Sequence, residues 1–165
     1  ADGLHDRDVP LLEQLAQVAH LTHAGAVVFV GHGLLDADGE RKNVHYCNTP
    51  IEVRIELCIP AEVSRQHLSV AFSIKDLQGS DLIVSTTHDF SEHPLPEAER
   101  FTISFQLTNY LLTGKYLLVA ALENRQHSDI HYYEYVEGAH YFSSLSDARL
   151  FGRFQPPITH TILLK

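Results

Sequence analysis

Three consecutive β-strands can be read from the stretch Ile51 to Thr87, which has the sequence IEVRIELCIPAEVSRQHLSVAFSIKDLQGSDLIVSTT. Its first segment places Ile51, Val53 and Ile55 at every second position, with charged residues between them. A period of two is typical of a half-buried strand, whereas a helix repeats its apolar face every 3.6 residues. The segment Leu68 to Ile74 repeats the alternation and predicts a second strand.

A tight turn separates the second strand from the third. The residues Asp76-Leu77-Gln78-Gly79 supply turn chemistry, because Gly79 can adopt a positive φ and an Asp side chain can hydrogen-bond the turn backbone. The β-branched segment Asp81 to Thr87 follows directly. We therefore predict an antiparallel hairpin beside the Ile51 strand.

Strand patterns recur along the rest of the chain. The further predicted strands are Ala26 to His32, Val44 to Asn48, Phe101 to Thr108, Tyr116 to Leu122, Ile130 to Val136, Tyr141-Phe142 and, after Pro156-Pro157, Ile158 to Leu164. Gly114-Lys115-Tyr116, at the start of a strongly apolar strand, is typical of the tyrosine corner of immunoglobulin-like sandwiches. The fold class that follows is an all-β, immunoglobulin-like antiparallel β-sandwich, with a barrel as the alternative.

One short helix is expected before the first strand. Asp8 can cap it, Pro10 falls in its first turn, and an apolar stripe runs from Leu11 to Ala19. This divides the chain into a leading segment, residues 1–25, and a sandwich domain, residues 26–165. Since the chain starts at Ala1 and contains no Met, we expect a piece of a longer protein, with the leading segment as the linker from a preceding domain.

Composition limits the classes of function. The chain has 165 residues and a formal net charge of -9, which disfavours nucleic acid as a partner because phosphate backbones are bound by clustered cations. Two cysteines are too few for a disulfide framework. With no signal peptide and no apolar run of membrane-spanning length, we expect a cytoplasmic protein.

Metal binding and catalysis find little support in residue spacing. Twelve histidines are scattered along the chain, but no recognised ligand frame occurs, so we expect neither a bound metal nor a cofactor. Glu52 and Glu56 share a strand face about 13 Å apart, which is too far for a glycosidase carboxylate pair. No Gly-x-x-x-x-Gly-Lys-Ser/Thr phosphate loop is present, so ATP hydrolysis is not expected of this chain.

Several of these segments, in their order along the chain, carry a family resemblance. They are the Val-Val-Phe-Val strand and Leu-Asp-Ala-Asp-Gly turn (Val27 to Gly39), the Ile51 strand, the hairpin Ser73 to Gly79 with Ser85-Thr86-Thr87 after it, and Gly114-Lys115-Tyr116. Together they resemble, over roughly Ala26 to Phe142, the C-terminal carbohydrate-binding domain of Wzt-type proteins. Those proteins are the nucleotide-binding subunits of bacterial ABC transporters that export O-antigen polysaccharide.

The resemblance implies a function and a set of partners. It implies a non-catalytic domain that recognises the finished, non-reducing end of the O-antigen polysaccharide and gives an ABC exporter its specificity in lipopolysaccharide biosynthesis. It also implies a homodimer formed by exchange of the last strand, with an ATPase domain and a membrane subunit as further partners. The expected location is the cytoplasm, peripheral to the inner membrane through the transporter.

The candidate binding residues follow from the chemistry of sugars. A sugar offers apolar C–H faces and hydroxyl groups, which suit flat aromatic side chains beside short polar ones. Strict alternation would place His131, Tyr133 and Tyr135 on one face of their strand, and Tyr132 and Glu134 on the other. The expected carbohydrate-binding residues are His131, Tyr133, Tyr135, Thr102, Ser104, Gln106, Arg54 and Glu56.

Two other classes of function stay open. One is an enzyme that acts on glycans, since carboxylates distant in sequence can meet in space. The other is a sandwich that serves only dimerisation or subunit contact. Both share the predicted fold with the carbohydrate-binding hypothesis, because a fold by itself does not specify a function.

Overall fold

The computed structural model describes residues 28–90, 95–126, 128–148 and 152–162. The expected helix after Asp8 and the leading segment, residues 1–25, lie outside the described residues. Within them the elements are β1 (Val28–Leu35), β2 (Val44–Tyr46), β3 (Pro50–Cys58), β4 (Leu68–Asp76), β5 (Asp81–Thr86), the helical turn α1 (Thr87–Phe90), β6 (Arg100–Thr108), β7 (Gly114–Asn124) and β8 (His131–Leu145).

Two sheets face each other across one apolar core, which confirms the β-sandwich. The first sheet has the strand order β1-β3-β6, and the second has the order β2-β8-β7-β4-β5. Neighbouring strands are antiparallel except β2, which runs parallel to β8. The second sheet is therefore mixed rather than purely antiparallel.

The alternating residues of β3 form the centre of the core, as the sequence predicts. Ile51, Val53 and Ile55 are each at most 2% exposed, while the residues between them are half-buried. They pack against the inward residues of β4 and β7, among them Phe72 and Leu118. Truncating any of these side chains to Ala would cost about 2–5 kcal/mol of folding free energy, through lost burial and the cavity left behind.

Two strand predictions differ from the structure. Apart from Ile130, the segments Ile130 to Val136 and Tyr141-Phe142 belong to one strand, β8. Gly138, between them, has a φ of 70°, a conformation in which other residues would be strained. The predicted last strand, Ile158 to Leu164, is not formed over its described part, up to Ile162. A strand needs a partner for its backbone groups, and this tail has none in the described part of one chain.

The tyrosine corner is present at the start of β7. The hydroxyl of Tyr116 is buried and donates a hydrogen bond of 2.8 Å to the carbonyl of Leu112, four residues upstream. Gly114 is required between them, because a Cβ there would lie 2.9 Å from the Tyr116 hydroxyl oxygen. The corner fixes the path of the chain as it enters the central strand of the second sheet.

We expect Tyr116→Phe to lower the free energy of unfolding by about 1 kcal/mol, since it removes one buried hydrogen bond and leaves the ring in place. The measurement is urea denaturation followed by circular dichroism. Tyr141→Phe is the matched control, because Tyr141 is 62% exposed and its change should stay within about 0.5 kcal/mol. Equal stabilities for the two variants would contradict a stabilising corner.

Candidate functional site

The outer surface of the five-stranded sheet carries exposed aromatic side chains. Tyr132, Tyr135 and Tyr141 project outward from β8, Tyr133 lies at a bulge of the same strand, and each is between 45% and 62% exposed. Large apolar side chains that stay exposed beside one another are typical of a binding surface. We call this surface the tyrosine face, after Tyr132, Tyr135 and Tyr141.

A bulge in β8 changes which tyrosines lie together. The pairing of β7 with β8 shifts between Leu122 and Glu123, so that Tyr132 pairs with Glu123 while Glu134 pairs with Leu122. Leu122 is a core residue, and Glu134 therefore points inward and Tyr132 outward. The strict alternation expected for this segment is wrong at this point, because a bulge inserts an extra residue and reverses the faces beyond it.

The two outward tyrosines on either side of the bulge contact each other. The rings of Tyr132 and Tyr135 are 5.2 Å apart between centroids and meet edge to face, an arrangement that aromatic pairs favour. Tyr133 lies at the bulge, and its hydroxyl accepts a 3.4 Å hydrogen bond from the Asn124 side chain. Tyr132 and Tyr135 thus form one continuous aromatic wall.

A shallow groove runs beside this wall over the middle of the sheet. Its volume is about 140 Å³. Its floor is made of small side chains from β4 and β7, including Ala71, Ser73 and Ala121, and the exposed Val84 of β5 borders its far side. Small residues between larger ones on one sheet face produce such a concave surface, because side chains on that face stand side by side.

The groove has a charged residue at each end. At one end the ammonium of Lys75 donates a 3.2 Å hydrogen bond to the hydroxyl of Tyr135 and lies 3.7 Å from Asp81. The hydrogen bond to Tyr135, and the charge of Asp81 after it, raise the pKa of Lys75. At the other end the carboxylate of Glu123 accepts hydrogen bonds from Ser69, at 2.9 Å, and Arg125, at 2.8 Å.

The residues predicted from the sequence divide between two opposite surfaces. Of the eight, Tyr135 lines the groove and Tyr133 lies next to it at the bulge. His131 pairs with Asn124 at the start of β8, on the side of the strand opposite to Tyr132. The other five project from the outer surface of the three-stranded sheet and are Arg54, Glu56, Thr102, Ser104 and Gln106.

Those five residues do form a patch of their own. Arg54 lies opposite Ser104, and Glu56 lies opposite Thr102, in the register of β3 and β6. Arg54 also donates a 2.8 Å hydrogen bond to Glu52, which raises the pKa of Arg54 and lowers that of Glu52. The single groove expected from all eight residues is not formed, because β8 belongs to the other sheet and faces the other way.

A second, apolar groove opens along one side of the sandwich. There β6 and β5 are the edge strands of their sheets, and the space between them is about 400 Å³, lined by Phe72, Ile83, Ile103, Phe105 and Leu107 with hydroxyl groups around them. An edge strand presents unpaired backbone N–H and C=O groups. We call this the edge groove.

The C-terminal tail is fastened to the domain and then leaves it. Arg153 forms an ion pair with the buried Asp76, and its carbonyl accepts a 3.0 Å hydrogen bond from the Leu112 amide. The Phe154 ring lies 5.9 Å from the ring of Tyr110. Beyond Pro156-Pro157, Ile158 and Ile162 are 78% and 79% exposed, so the described part of the tail does not enter the edge groove of its own chain.

Three histidines lie close together on the opposite side of the sandwich, where β1 and β2 meet β8. The Nε2 atoms of His45 and His140 lie 2.9 Å and 3.1 Å from one backbone carbonyl, that of Lys42. Burial lowers the pKa of His32, with the charges of Arg41 and His140 acting in the same direction. Burial also lowers the pKa of His45, against a hydrogen bond to Lys42 that raises it.

Neither a metal-binding cluster nor a membrane-spanning helix is found among the described residues. No group of three or more His, Cys, Asp or Glu side chains in this part of the chain could hold a metal ion. No helix among the described residues is long and apolar enough to cross a membrane.

Comparison with known proteins agrees with this architecture. The arrangement defines a β-sandwich of the immunoglobulin-like type with an exposed aromatic groove on one sheet. The crystal structure of the C-terminal domain of Wzt has the same fold, with a TM-score of 0.72 at 14% sequence identity, over 86% of this chain and 87% of that chain. No curated protein matches the sequence.

The family model named Wzt C-terminal domain matches residues 19–155. The chain therefore belongs to the Wzt C-terminal domain family, which confirms the resemblance found in the sequence. Membership places the chain among domains of ABC transporters of the Wzt type.

We expect the fold to lose stability as the pH falls below about 6.5, the ordinary pKa of histidine. Since His32 and His45 have lowered pKa values when folded, the unfolded chain takes up protons first, and acid favours unfolding. The measurement is the melting temperature between about pH 7.5 and 5. Glu134 acts in the opposite direction, because burial raises its pKa.

Variants distinguish the contribution of the two histidines to the pH dependence from that of Glu134. In a His32→Gln, His45→Gln double variant the melting temperature should depend less on pH than in the parent, while the contribution of Glu134 is unchanged. His67→Gln is the control, since His67 is exposed and its pH profile should follow the parent. A double variant with the parental profile would contradict the assignment.

Proposed function

We propose that the tyrosine face binds the exported O-antigen polysaccharide and so gives an ABC exporter its substrate specificity. The observation that carries this is the groove between the Tyr132–Tyr135 wall and Val84, over a floor of small residues. A pyranose ring can lay its C–H face on exposed tyrosine rings, while its hydroxyl groups reach the charged residues at the ends of the groove.

The shape of the groove favours a polymer over a small molecule. Its volume of about 140 Å³ is below the roughly 300–1,000 Å³ of pockets that enclose small ligands. A chain of sugars could lie along the surface with one residue seated in the groove. The finished, non-reducing end of the polymer fits such a short groove, because its terminal ring is followed by no further sugar that would have to leave the groove.

A second proposal concerns assembly, with the tail of a second copy as the occupant of the edge groove. The groove is lined by apolar side chains between two strand edges that have no partner among the described residues, and the tail offers Ile158 and Ile162, which are 78% and 79% exposed. The exchanged tail would form the missing strand, satisfying its backbone groups and burying both apolar surfaces. Arg153 and Phe154 would hold the point from which the tail departs.

These two proposals fit the wider assembly implied by the family. A homodimer would present two tyrosine faces to the polymer, and an ATPase domain joined to each chain would carry the energy-coupling step. The membrane subunit of the exporter would then hold the domain at the cytoplasmic side of the inner membrane.

We expect Tyr135→Ala and Tyr132→Ala each to weaken binding of the cognate O-polysaccharide by about tenfold or more, since stacked aromatic rings carry much of the contact area. The measurement is isothermal titration calorimetry with the polymer from the source organism and with one of unrelated structure. Thr102→Ala, on the opposite surface and outside both grooves, is the matched control and should bind as the parent does. Loss of binding in Thr102→Ala but not in the tyrosine variants would move the site to the three-stranded sheet.

We expect removal of residues 156–165 to convert the dimer to monomer, measured by light scattering after size-exclusion chromatography. Ile162→Glu should do the same without altering the fold of the domain, because its side chain is 79% exposed in the single chain. Ile130→Glu changes another exposed isoleucine away from the edge groove and should stay dimeric. A truncated protein that remains a dimer would refute strand exchange.

A further inference from the structure

The polar end of the groove places an ammonium group beside a carboxylate. Lys75 is only 14% exposed, and it is held by the Tyr135 hydroxyl on one side and by Asp81 on the other. Asp81 itself is 48% exposed, so its carboxylate remains open to a ligand. One donor and one acceptor therefore stand side by side where the aromatic wall ends.

We propose that Lys75 and Asp81 read a pair of adjacent free hydroxyl groups on a neutral pyranose, and that the groove disfavours sugars carrying a carboxylate or a phosphate. This rests on the proposed function of the tyrosine face and names the class of sugar that it takes. One hydroxyl accepts a hydrogen bond from the Lys75 ammonium, and its neighbour donates to the Asp81 carboxylate. The ring stacks at the same time on Tyr135, whose hydroxyl already fixes the ammonium.

Charge balance is the reason for a neutral ligand. Lys75 and Arg125 are the cations at the two ends of the groove, and each is already matched by a carboxylate, Asp81 or Glu123. Glu137 adds a further negative charge near Lys75, and the whole chain has a formal net charge of -9. An anionic sugar would need a surplus cation, and it would also be repelled by the field of the protein.

Hydrogen bonds to charged groups explain why these two side chains should matter for affinity. Such bonds are about twice as strong as bonds between neutral groups. Lys75 is also ordered before the ligand arrives, by Tyr135 and Asp81, so less side-chain freedom is lost on binding. The Lys75 ammonium and the Asp81 carboxylate lie 3.7 Å apart. Together they can bind two neighbouring hydroxyl groups of one sugar, whereas a single isolated hydroxyl would occupy only one of them.

The test uses an array of purified bacterial O-polysaccharides of known structure, divided into neutral polymers and polymers with uronic acid or phosphate. The parent domain should retain neutral polymers, with an affinity that changes less than about twofold between about 0.05 M and 0.5 M NaCl, because screening acts on charge pairs. Mild periodate treatment cleaves the C–C bond between two carbons that carry adjacent free hydroxyl groups. Treating a polymer that binds in this way should abolish its binding. Preferred binding of acidic polymers that weakens with salt would overturn the inference.

Variants separate this inference from the function on which it rests. Lys75→Met and Asp81→Asn should each weaken binding of the retained polymer by about tenfold. Lys115→Met is the matched control, since Lys115 is an exposed lysine on β7 outside the groove, and it should bind as the parent does. If Tyr135→Ala loses binding while Lys75→Met and Asp81→Asn keep it, the inference fails and the proposed function stands. If no polymer binds the parent domain, both fail.

Discussion

The antiparallel pairing of β4 with β7 is the constraint on which the rest of this structure depends. Its register places Phe72 and Ile74 opposite Ala120 and Leu118 on the inner side, where they meet the β3 residues in the core. The same register places Ala71 and Ser73 opposite Ala121 and Val119 on the outer side. One set of backbone hydrogen bonds therefore builds both the core and the floor of the groove. A slip by one residue would exchange these two faces and remove both.

The two grooves differ in whether the strands that form them have unpaired backbone groups, and this difference is the reason for their different proposed roles. The floor of the groove on the tyrosine face belongs to β4 and β7, which pair with a strand on both sides, so it offers side chains to a ligand. The edge groove lies between the edges of β5 and β6, which have no partner strand among the described residues, so it offers backbone groups and apolar surface to another strand. The point from which the tail leaves is held at Arg153, whose carbonyl accepts a 3.4 Å hydrogen bond from the tyrosine corner and whose guanidinium pairs with Asp76.

Local sequence patterns predicted most of the strands, the turn at Gly79 and the tyrosine corner, because each depends on residues close together in the chain. The binding residues expected from the sequence do not all lie on one surface. Of the expected residues, Tyr135 alone lines the groove, whereas Lys75, Asp81 and Tyr132 were not among them. The outward direction of Lys75 could be predicted from the sequence, because Lys75 follows the core residue Ile74. Its contact with Tyr135, 60 residues further on, could not be predicted, because that contact depends on β7 lying between β4 and β8.

An all-β sandwich, the apolar face of most strands and the family of the chain follow from the local sequence, because alternation and turn chemistry are local properties. Only the folded chain shows which strands are neighbours and which sheet each one joins. It separated Arg54 and Ser104 from Tyr135 onto opposite surfaces, and it used a bulge to bring Tyr132 beside Tyr135. The physical reason is that strand order is set by the packing of the whole core, whereas a single strand has the same pattern in either sheet.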